Sequence, residues 1–200
     1  MKDIRICFVG DSFVNGTGDE TSLGWVGRLC AAARNYERAI TCYNLGIRGN
    51  TSADILQRWE QECALRLPEH CDRRIVLSCG VNDMVQLNGR QRVSSGDSRE
   101  NIRNLLQAMS SQYQTLMVGP PPVSDEQMNS RIADISTAYA YEAQALTVPY
   151  IDIYSLLLVN QRYLKESAEN DGSHPASYGY SEIASIIATF RAWWFNSPGN

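Results

Sequence analysis

Two polar segments carry residues whose types and spacing suit acyl transfer. Ser12 directly follows an apolar run, in the segment Gly10-Asp11-Ser12-Phe13, and Asp171 precedes His174 by three residues in a glycine-containing turn. An aspartate at that spacing can accept a hydrogen bond from Nδ1–H of the imidazole, which leaves Nε2 free to act as a base. A serine hydroxyl is a poor nucleophile without such a base. We therefore interpret Ser12, His174 and Asp171 as one Ser–His–Asp set. Taken singly, each segment also fits a helix cap or an Asx turn.

An acyl-transfer site also needs hydrogen-bond donors for the oxyanion that develops on the substrate. The backbone N–H of Ser12 is one candidate. Gly46 or Gly49 offers a second, because a glycine lets its backbone approach a ligand closely. The side-chain amide of Asn82, in the segment Gly80-Val81-Asn82-Asp83, is the third.

The chain has two histidines, His70 and His174, so a histidine base has two possible positions. His70 lies in the segment that leads into the third predicted strand, at the amino end of that strand. We expect it to be a surface or capping residue, because the proposed site lies at the carboxyl ends.

Short apolar runs alternate with helical patterns along the whole chain. The runs predict five strands, Ile4–Val9, Ile40–Leu45, Arg74–Ser78, Thr115–Val118 and Pro149–Ile153. Continuous apolar strands are typical of a parallel sheet that is buried on both faces, and the alternation implies helical crossovers between strands. The prediction is an α/β fold, a flavodoxin-like three-layer α/β/α sandwich with a five-stranded parallel sheet. At about 150 residues per domain, residues 1–200 form one domain.

Three helices have clear sequence signals. Apolar residues at helical spacing occur from Ile55 to Leu67 and from Ile183 to Trp194. Asp97 followed by Glu100 resembles a capping box for a helix near Ile102–Tyr113. Ligands of such folds bind beyond the carboxyl ends of the strands, where Ser12 and its partners fall.

The composition excludes several classes of protein. A net charge of −4 argues against a nucleic-acid binder, and no apolar run approaches the roughly 18 residues of a membrane span. The six cysteines show no C-x-x-C spacing, so we expect buried free thiols in a reducing compartment rather than a zinc or redox motif. The first residues lack a signal-peptide pattern, and we expect a cytoplasmic location.

Four blocks in chain order resemble the SGNH (GDSL-type) hydrolase family. They are Gly10-Asp11-Ser12-Phe13, the glycine of Asn44-Leu45-Gly46, Gly80-Val81-Asn82-Asp83, and Asp171-Gly172-Ser173-His174-Pro175 with Gly179-Tyr180 following. Phe13 stands where the family more often has leucine, a change that a packing position should tolerate. The resemblance spans residues 4–180.

The resemblance implies a role for each of these residues. Ser12 would be the nucleophile, His174 the general base and acid, and Asp171 the orienting carboxylate. The Ser12 and Gly46 amides and the Asn82 side chain would form the oxyanion hole. The resemblance also implies serine-dependent hydrolysis of esters or thioesters, without a metal or organic cofactor. The α/β-hydrolase elbow, G-x-S-x-G, does not fit, since position 14 is Val14.

We expect the substrate to be a small-molecule ester, and the sequence leaves its class open. The polar stretch Met84–Ser98 and the loop Pro120–Ser124 are candidate pocket walls, and their polarity favours short-chain, water-soluble esters, acetyl esters of carbohydrates included. Lysophospholipids and acyl thioesters are the alternatives within the family. A catalytically inactive binding module, or a flavin- or phosphate-binding module using Asn15–Ser22, is the alternative of a different class. Asp19 and Glu20 in that segment would repel a phosphate.

The aromatic segment Trp193-Trp194-Phe195 near the C-terminus also has two interpretations. We expect it to pack on the sheet. A contact between subunits of a homo-oligomer is the alternative.

Overall fold

A computed structural model describes residues 3–34 and 39–196 of the chain. The strands are β1 (Asp3–Gly10), β2 (Ala39–Gly46), β3 (Asp72–Ser78), β4 (Gln86–Leu87), β5 (Arg90–Gln91), β6 (Gln114–Val118) and β7 (Tyr150–Ile151). The helices are α1 (Ser12–Asn15), α2 (Gly24–Ala33), α3 (Ser52–Ala64), α4 (Ser95–Ser110), α5 (Glu126–Ala145), α6 (Tyr154–Leu158), α7 (Gln161–Glu169) and α8 (Ser177–Thr189).

Five parallel strands form the main sheet, in the order β2-β1-β3-β6-β7. The predicted fold class and all five predicted strands are confirmed. In the register of the sheet, Gly10 at the end of β1 lies opposite Gly46 of β2 and Ser78 of β3. Three strands therefore end level with one another, and the segments that follow them meet at one edge.

The sheet separates two apolar layers, and neighbouring residues of β1 contribute to different ones. Cys7 and Val9 pack with α3, α4 and α5, whereas Ile6 and Phe8 pack with α2 and α8. Because both faces are covered, every residue of β1 from Ile6 to Gly10 is buried. This explains why the strand reads as a continuous apolar run rather than an alternating one.

All three predicted helices have boundaries that differ from the prediction: α3 ends at Ala64 instead of Leu67, and α4 ends at Ser110 instead of Tyr113. α4 begins at Ser95, because the hydroxyl of Ser94 accepts the backbone N–H of Asp97 at 3.1 Å and so caps the helix earlier than the predicted Asp97–Glu100 box. α8 ends at Thr189, so the aromatic residues that follow lie outside it. Trp193 is nevertheless buried in the α2–α8 layer, which confirms the expected packing of this segment.

The prediction of six free cysteines is wrong for one pair. Cys30 of α2 and Cys42 of β2 form a disulfide, with Cα atoms 6.7 Å apart. α2 packs along β2, so residues 12 positions apart in sequence come within bridging distance. The remaining cysteines, Cys7, Cys63, Cys71 and Cys79, are free. Within the described ranges, no helix is long and apolar enough to cross a membrane.

Candidate active site

Ser12 lies at the start of the single-turn helix α1, immediately beyond the end of β1. The Asp11 side chain caps this helix by accepting the Phe13 N–H at 3.0 Å. A Cβ on Gly10 would lie 2.1 Å from the carbonyl oxygen of Ser78, so only glycine allows the turn to pack this closely against β3. As the first residue of a helix, Ser12 has an N–H without an intrahelical acceptor. Its side chain and its N–H are therefore both available for chemistry.

Ser12, His174 and Asp171 form a continuous hydrogen-bonded chain. Ser12 Oγ lies 2.7 Å from His174 Nε2, and His174 Nδ1 lies 2.7 Å from Asp171 Oδ2. The other carboxylate oxygen of Asp171 accepts the backbone N–H groups of Ser173 at 3.0 Å and of His174 at 2.8 Å. The Asp171 turn thus fixes both the backbone and the ring of His174.

Asp171 stays ionised at neutral pH. Desolvation by partial burial raises the pKa of Asp171, but hydrogen bonds from the His174 backbone, the His174 ring and the Ser173 backbone together outweigh it, and the pKa lies below its ordinary value. A carboxylate at this position favours the imidazole tautomer with its proton on Nδ1. Nε2 can then accept the proton of Ser12.

Neighbouring loops hold the Asp171–His174 turn in place. Ser124 donates its backbone N–H and its hydroxyl to the Gly172 carbonyl, at 2.9 Å and 2.7 Å. The ring of Phe13 packs against the His174 ring with centroids 4.7 Å apart, so the residue that replaces the family's leucine contacts the base directly. The predicted pocket-wall loop Pro120–Ser124 therefore supports the histidine turn.

Asn82 lies between the segment of Ser12 and the segment that follows β2. Its Nδ2 donates to the Asn50 carbonyl at 3.0 Å and to Asp11 Oδ2 at 3.3 Å. These contacts bring the third sequence block against the first block and against the loop that follows the second. The amide N–H groups of Asn82 consequently lie in the same region as the Ser12 backbone.

The two candidate glycines differ in what their backbone N–H groups contact. Gly46 donates its N–H to the Asn44 side chain at 3.0 Å, and a Cβ on Gly46 would lie 2.2 Å from the Asn15 nitrogen. Gly49 adopts a φ of 82°, and the described residues provide no acceptor for its N–H. The structure therefore places Gly46 as a close-packing position beneath α1 and leaves the Gly49 N–H available.

Two buried carboxyl groups lie beneath the site. Burial raises the pKa of Asp11 to about 7, and the nearby charge of Asp83 adds to the rise, against the opposing hydrogen bonds from Phe13 and Asn82. Asp83 is fully buried and accepts the Ser52 N–H at 2.8 Å and the Ser98 hydroxyl at 2.6 Å. Sequence reasoning missed Ser98, because nothing local marks a contact between residues of different elements.

The polar stretch after Asn82 forms a short hairpin that returns to the site. β4 and β5 pair antiparallel across Asn88 and Gly89, both with positive φ, as in a two-residue hairpin turn. Beyond the hairpin, Arg92 donates to the Gly49 carbonyl at 2.9 Å. The predicted pocket wall Met84–Ser98 thus contacts the loop after β2 through this arginine.

The loop considered as a phosphate site is occupied by the chain's own carboxylate. Asp19 accepts the backbone N–H groups of Thr21 at 2.9 Å and of Gly24 at 2.8 Å, and it pairs with Arg28. The N–H groups of Thr21 and Gly24 are therefore already bound to a carboxylate, which disfavours a phosphate in this loop. His70, exposed and just before β3, lies at the amino end of the sheet, as predicted.

Comparison with known proteins identifies the family to which this chain belongs. The chain matches the GDSL-like lipase/acylhydrolase family over residues 8–181. It belongs to that family, and it is a hydrolase. None of the curated protein sequences matches it significantly.

Solved structures of the same fold have low sequence identity to this chain. An acetylxylan esterase from Geobacillus stearothermophilus has a TM-score of 0.81 at 17% identity, with 99% of this chain and 98% of that chain covered. A lipase/acylhydrolase from Enterococcus faecalis has a TM-score of 0.72 at 24% identity, with coverage of 92% and 93%. An alpha/beta hydrolase enzyme from the metagenome of Lake Arreo, Spain, has a TM-score of 0.78 at 19% identity, with coverage of 94% and 95%.

Proposed function

We propose that the protein hydrolyses carboxylic esters through an acyl-enzyme intermediate on Ser12. The observation that carries this proposal is the chain of two 2.7 Å contacts from Ser12 Oγ through the His174 ring to Asp171. That arrangement couples a nucleophile to a base whose tautomer is fixed by a carboxylate.

The reaction would proceed in two displacements at the acyl carbon. Ser12 Oγ attacks the carbonyl carbon while its proton passes to Nε2 of His174. The tetrahedral intermediate then expels the alcohol, which takes the proton from Nε2, and the acyl group remains on Ser12. Water repeats the same steps, giving up its proton to His174 and releasing the carboxylic acid and free Ser12.

The negative charge of each tetrahedral intermediate needs fixed donors. We assign this role to the N–H groups of Ser12 and Gly49 and to the Asn82 side chain, whose longer contact with Asp11 Oδ2, at 3.3 Å, would give way to the oxyanion. Gly49 replaces Gly46, the glycine that the family resemblance implies, because the Gly46 N–H is already bound to Asn44. Each such donor typically contributes about 10²–10³ in rate.

A short-chain ester is the substrate class that the surroundings of the site favour. Arg48 approaches Asp171 at 3.9 Å and is 71% exposed, and Arg92 is an exposed residue beside Gly49. Such charged groups suit a water-soluble alcohol or acyl portion better than a long alkyl chain. An acetylated carbohydrate is one ester of this kind, and an acetylxylan esterase is among the structures of similar fold.

A panel of esters tests the function and the substrate class together. Initial rates are measured for p-nitrophenyl esters from acetate to laurate, for an acetylated xylo-oligosaccharide and for an acyl-CoA, with Ser12→Ala as the blank. We expect the highest kcat/KM for the acetate and no activity in the variant. Ester hydrolysis that survives in Ser12→Ala would remove the proposed nucleophile, and a preference for laurate or acyl-CoA would overturn the short-chain ester class.

A further inference from the structure

Arg58 links the carboxyl ends of two strands to the loop of the proposed oxyanion hole. Its side chain extends from α3, is only 16% exposed, and forms an outward ion pair with Glu62 at 2.7 Å. Inward, Nη2 donates to the Gly10 carbonyl at 2.8 Å and to the Leu45 carbonyl at 3.0 Å, and Nε donates to Asn50 Oδ1 at 2.7 Å.

Two of the three inward acceptors are close in sequence to a group assigned to the oxyanion hole. Gly10 precedes Ser12 by two residues, and Asn50 directly follows Gly49. Asn50 also uses its backbone carbonyl to accept Asn82 Nδ2 at 3.0 Å. One guanidinium therefore contacts the segments that carry all three donors, directly for Ser12 and Gly49 and through Asn50 for Asn82.

We propose that Arg58 is a positioning residue, which sets the spacing of the oxyanion donors without touching the substrate. This inference rests on the proposed function and adds to it. A planar guanidinium presents its N–H groups in a fixed fork, so it can serve two carbonyls and one amide oxygen at once. The ammonium of a lysine has no such fork and cannot reproduce the three directions.

Small displacements of the donors are enough to lower the rate. Donors stabilise an oxyanion only when they lie about 2.7–3.1 Å from the position it will occupy. A shift of about 1 Å in one segment can cost about 10²-fold in rate. The pairing of Gly10 in β1 with Gly46 in β2 does not depend on Arg58. The loop after β2, in contrast, would lose the contact between Asn50 and the guanidinium. Substitution of Arg58 should therefore lower kcat.

The test compares Arg58→Lys and Arg58→Ala with Arg66→Lys. Arg66 lies beyond the end of α3, donates to the Glu62 carbonyl at 2.7 Å, and contacts none of the proposed donor segments, so it controls for loss of a guanidinium. Steady-state hydrolysis of p-nitrophenyl acetate gives kcat and KM, and a fluorophosphonate titration counts folded active sites. Millimolar guanidinium is then added to the Arg58→Ala variant, to fill the space that its side chain leaves.

We expect Arg58→Lys to lower kcat per titrated site about 10²-fold, with KM and the shape of the pH profile unchanged. Arg66→Lys should keep the wild-type kcat, and guanidinium should restore part of the activity of Arg58→Ala but none to Ser12→Ala. An unchanged kcat per titrated site in Arg58→Lys would overturn the positioning role while leaving the esterase function standing. A wild-type protein without Ser12-dependent activity would overturn both. If Arg58→Ala does not fold, the Arg58→Lys measurement decides alone.

Discussion

The reactivity of Ser12 depends on where its proton can go. Its hydroxyl and the His174 ring are separated by 162 positions in sequence and by 2.7 Å in space. The carboxylate of Asp171 completes the path from the other side of the ring. The proposed activation of Ser12 therefore depends on three side chains, which the Asp171 turn and the α1 turn hold in contact with one another.

The two histidines provide a matched pair for testing this path. His174→Ala removes the base and should lower kcat for p-nitrophenyl acetate about 10⁴-fold. His70→Ala removes an exposed imidazole at the opposite edge of the sheet and should leave kcat unchanged. A comparable loss in both variants, or a loss only in His70→Ala, would contradict the assignment of the base.

Asp11 should make the stability of the protein depend on pH. Burial raises the pKa of Asp11 from its ordinary value of 3.8 to about 7. Between about pH 4 and pH 7 the folded protein keeps a proton that the unfolded chain has released, so the contribution of Asp11 to stability falls as the pH rises. Asp11→Asn cannot titrate and should lack this fall.

Urea denaturation of both proteins across that pH range measures the effect. The free energy of unfolding of the wild type, relative to Asp11→Asn, should decline from about pH 4 to pH 7 and then stay level. Parallel curves for the two proteins would show that Asp11 titrates normally in the fold.

At the residue scale, the sequence predicts groups that act through their own chemistry and misses those that act through a contact. Ser12, Asp171 and His174 are recognisable from residue type and spacing. The choice between Gly46 and Gly49 is not, because it depends on where the Asn44 side chain turns. In the sequence, Arg58 is one polar residue of an amphipathic helix. Its role becomes apparent only from its contacts with carbonyl groups at the strand ends.

At the element scale, the ends of β1, β2 and β3 determine where the site lies. The level register of Gly10 with Gly46 and Ser78 brings the segments that follow these strands to one edge. α1 then packs over Gly46, where no side chain would fit. Ser12 is thus positioned mainly by the packing of backbone against backbone.

The disulfide between α2 and β2 should contribute to stability and leave catalysis unaffected. It closes a loop between residues 12 positions apart, for which chain entropy predicts about 3 kcal/mol. Dithiothreitol should therefore lower the Tm of the wild type to that of Cys30→Ser, while kcat stays the same in both. The control is the variant itself, whose Tm should not respond to the reductant. A reductant-dependent Tm in Cys30→Ser, or equal Tm values in oxidised wild type and variant, would contradict a stabilising bond.

The five strands of the main sheet were predictable, but only three of the eight helices in the described residues were, and the ends of the elements were less so. Buried parallel strands give continuous apolar runs, and for this reason all five were found. The start of α4 was misplaced because Ser94 and Asp97 both have capping side chains, and only the folded backbone decides which one serves. The β4–β5 hairpin was missed because its strands are two residues each, too short for any periodicity.

At the scale of the whole molecule, one sheet joins two apolar layers. Trp59 of α3 belongs to the layer with α4 and α5, and Trp25 of α2 belongs to the layer with α8. β1 lies between these layers and contributes side chains to both, for example Phe8 to one and Val9 to the other. Among the described residues, both layers pack on this one sheet, and the β4–β5 hairpin belongs to neither layer.

We therefore propose a single cooperative domain, and unfolding should occur in one transition. The fluorescence of Trp59→Phe reports on the α2–α8 layer, and that of Trp25→Phe also reports on the other layer. Within each variant, far-UV circular dichroism and fluorescence should give the same unfolding midpoint. Small single domains usually behave in this way. Different midpoints for dichroism and fluorescence in the same variant would show that the layers unfold separately.

The most direct measurement for the account as a whole is covalent labelling of the nucleophile. A fluorophosphonate reacts with an activated serine to give a tetrahedral adduct, and peptide mapping by mass spectrometry then identifies the modified residue. The hydrogen-bonded path from Ser12 to Asp171 predicts one adduct, on Ser12, much slower labelling in His174→Ala and none in Ser12→Ala. An adduct on another residue, or labelling that persists in Ser12→Ala, would contradict the central claim that Ser12 is the activated nucleophile.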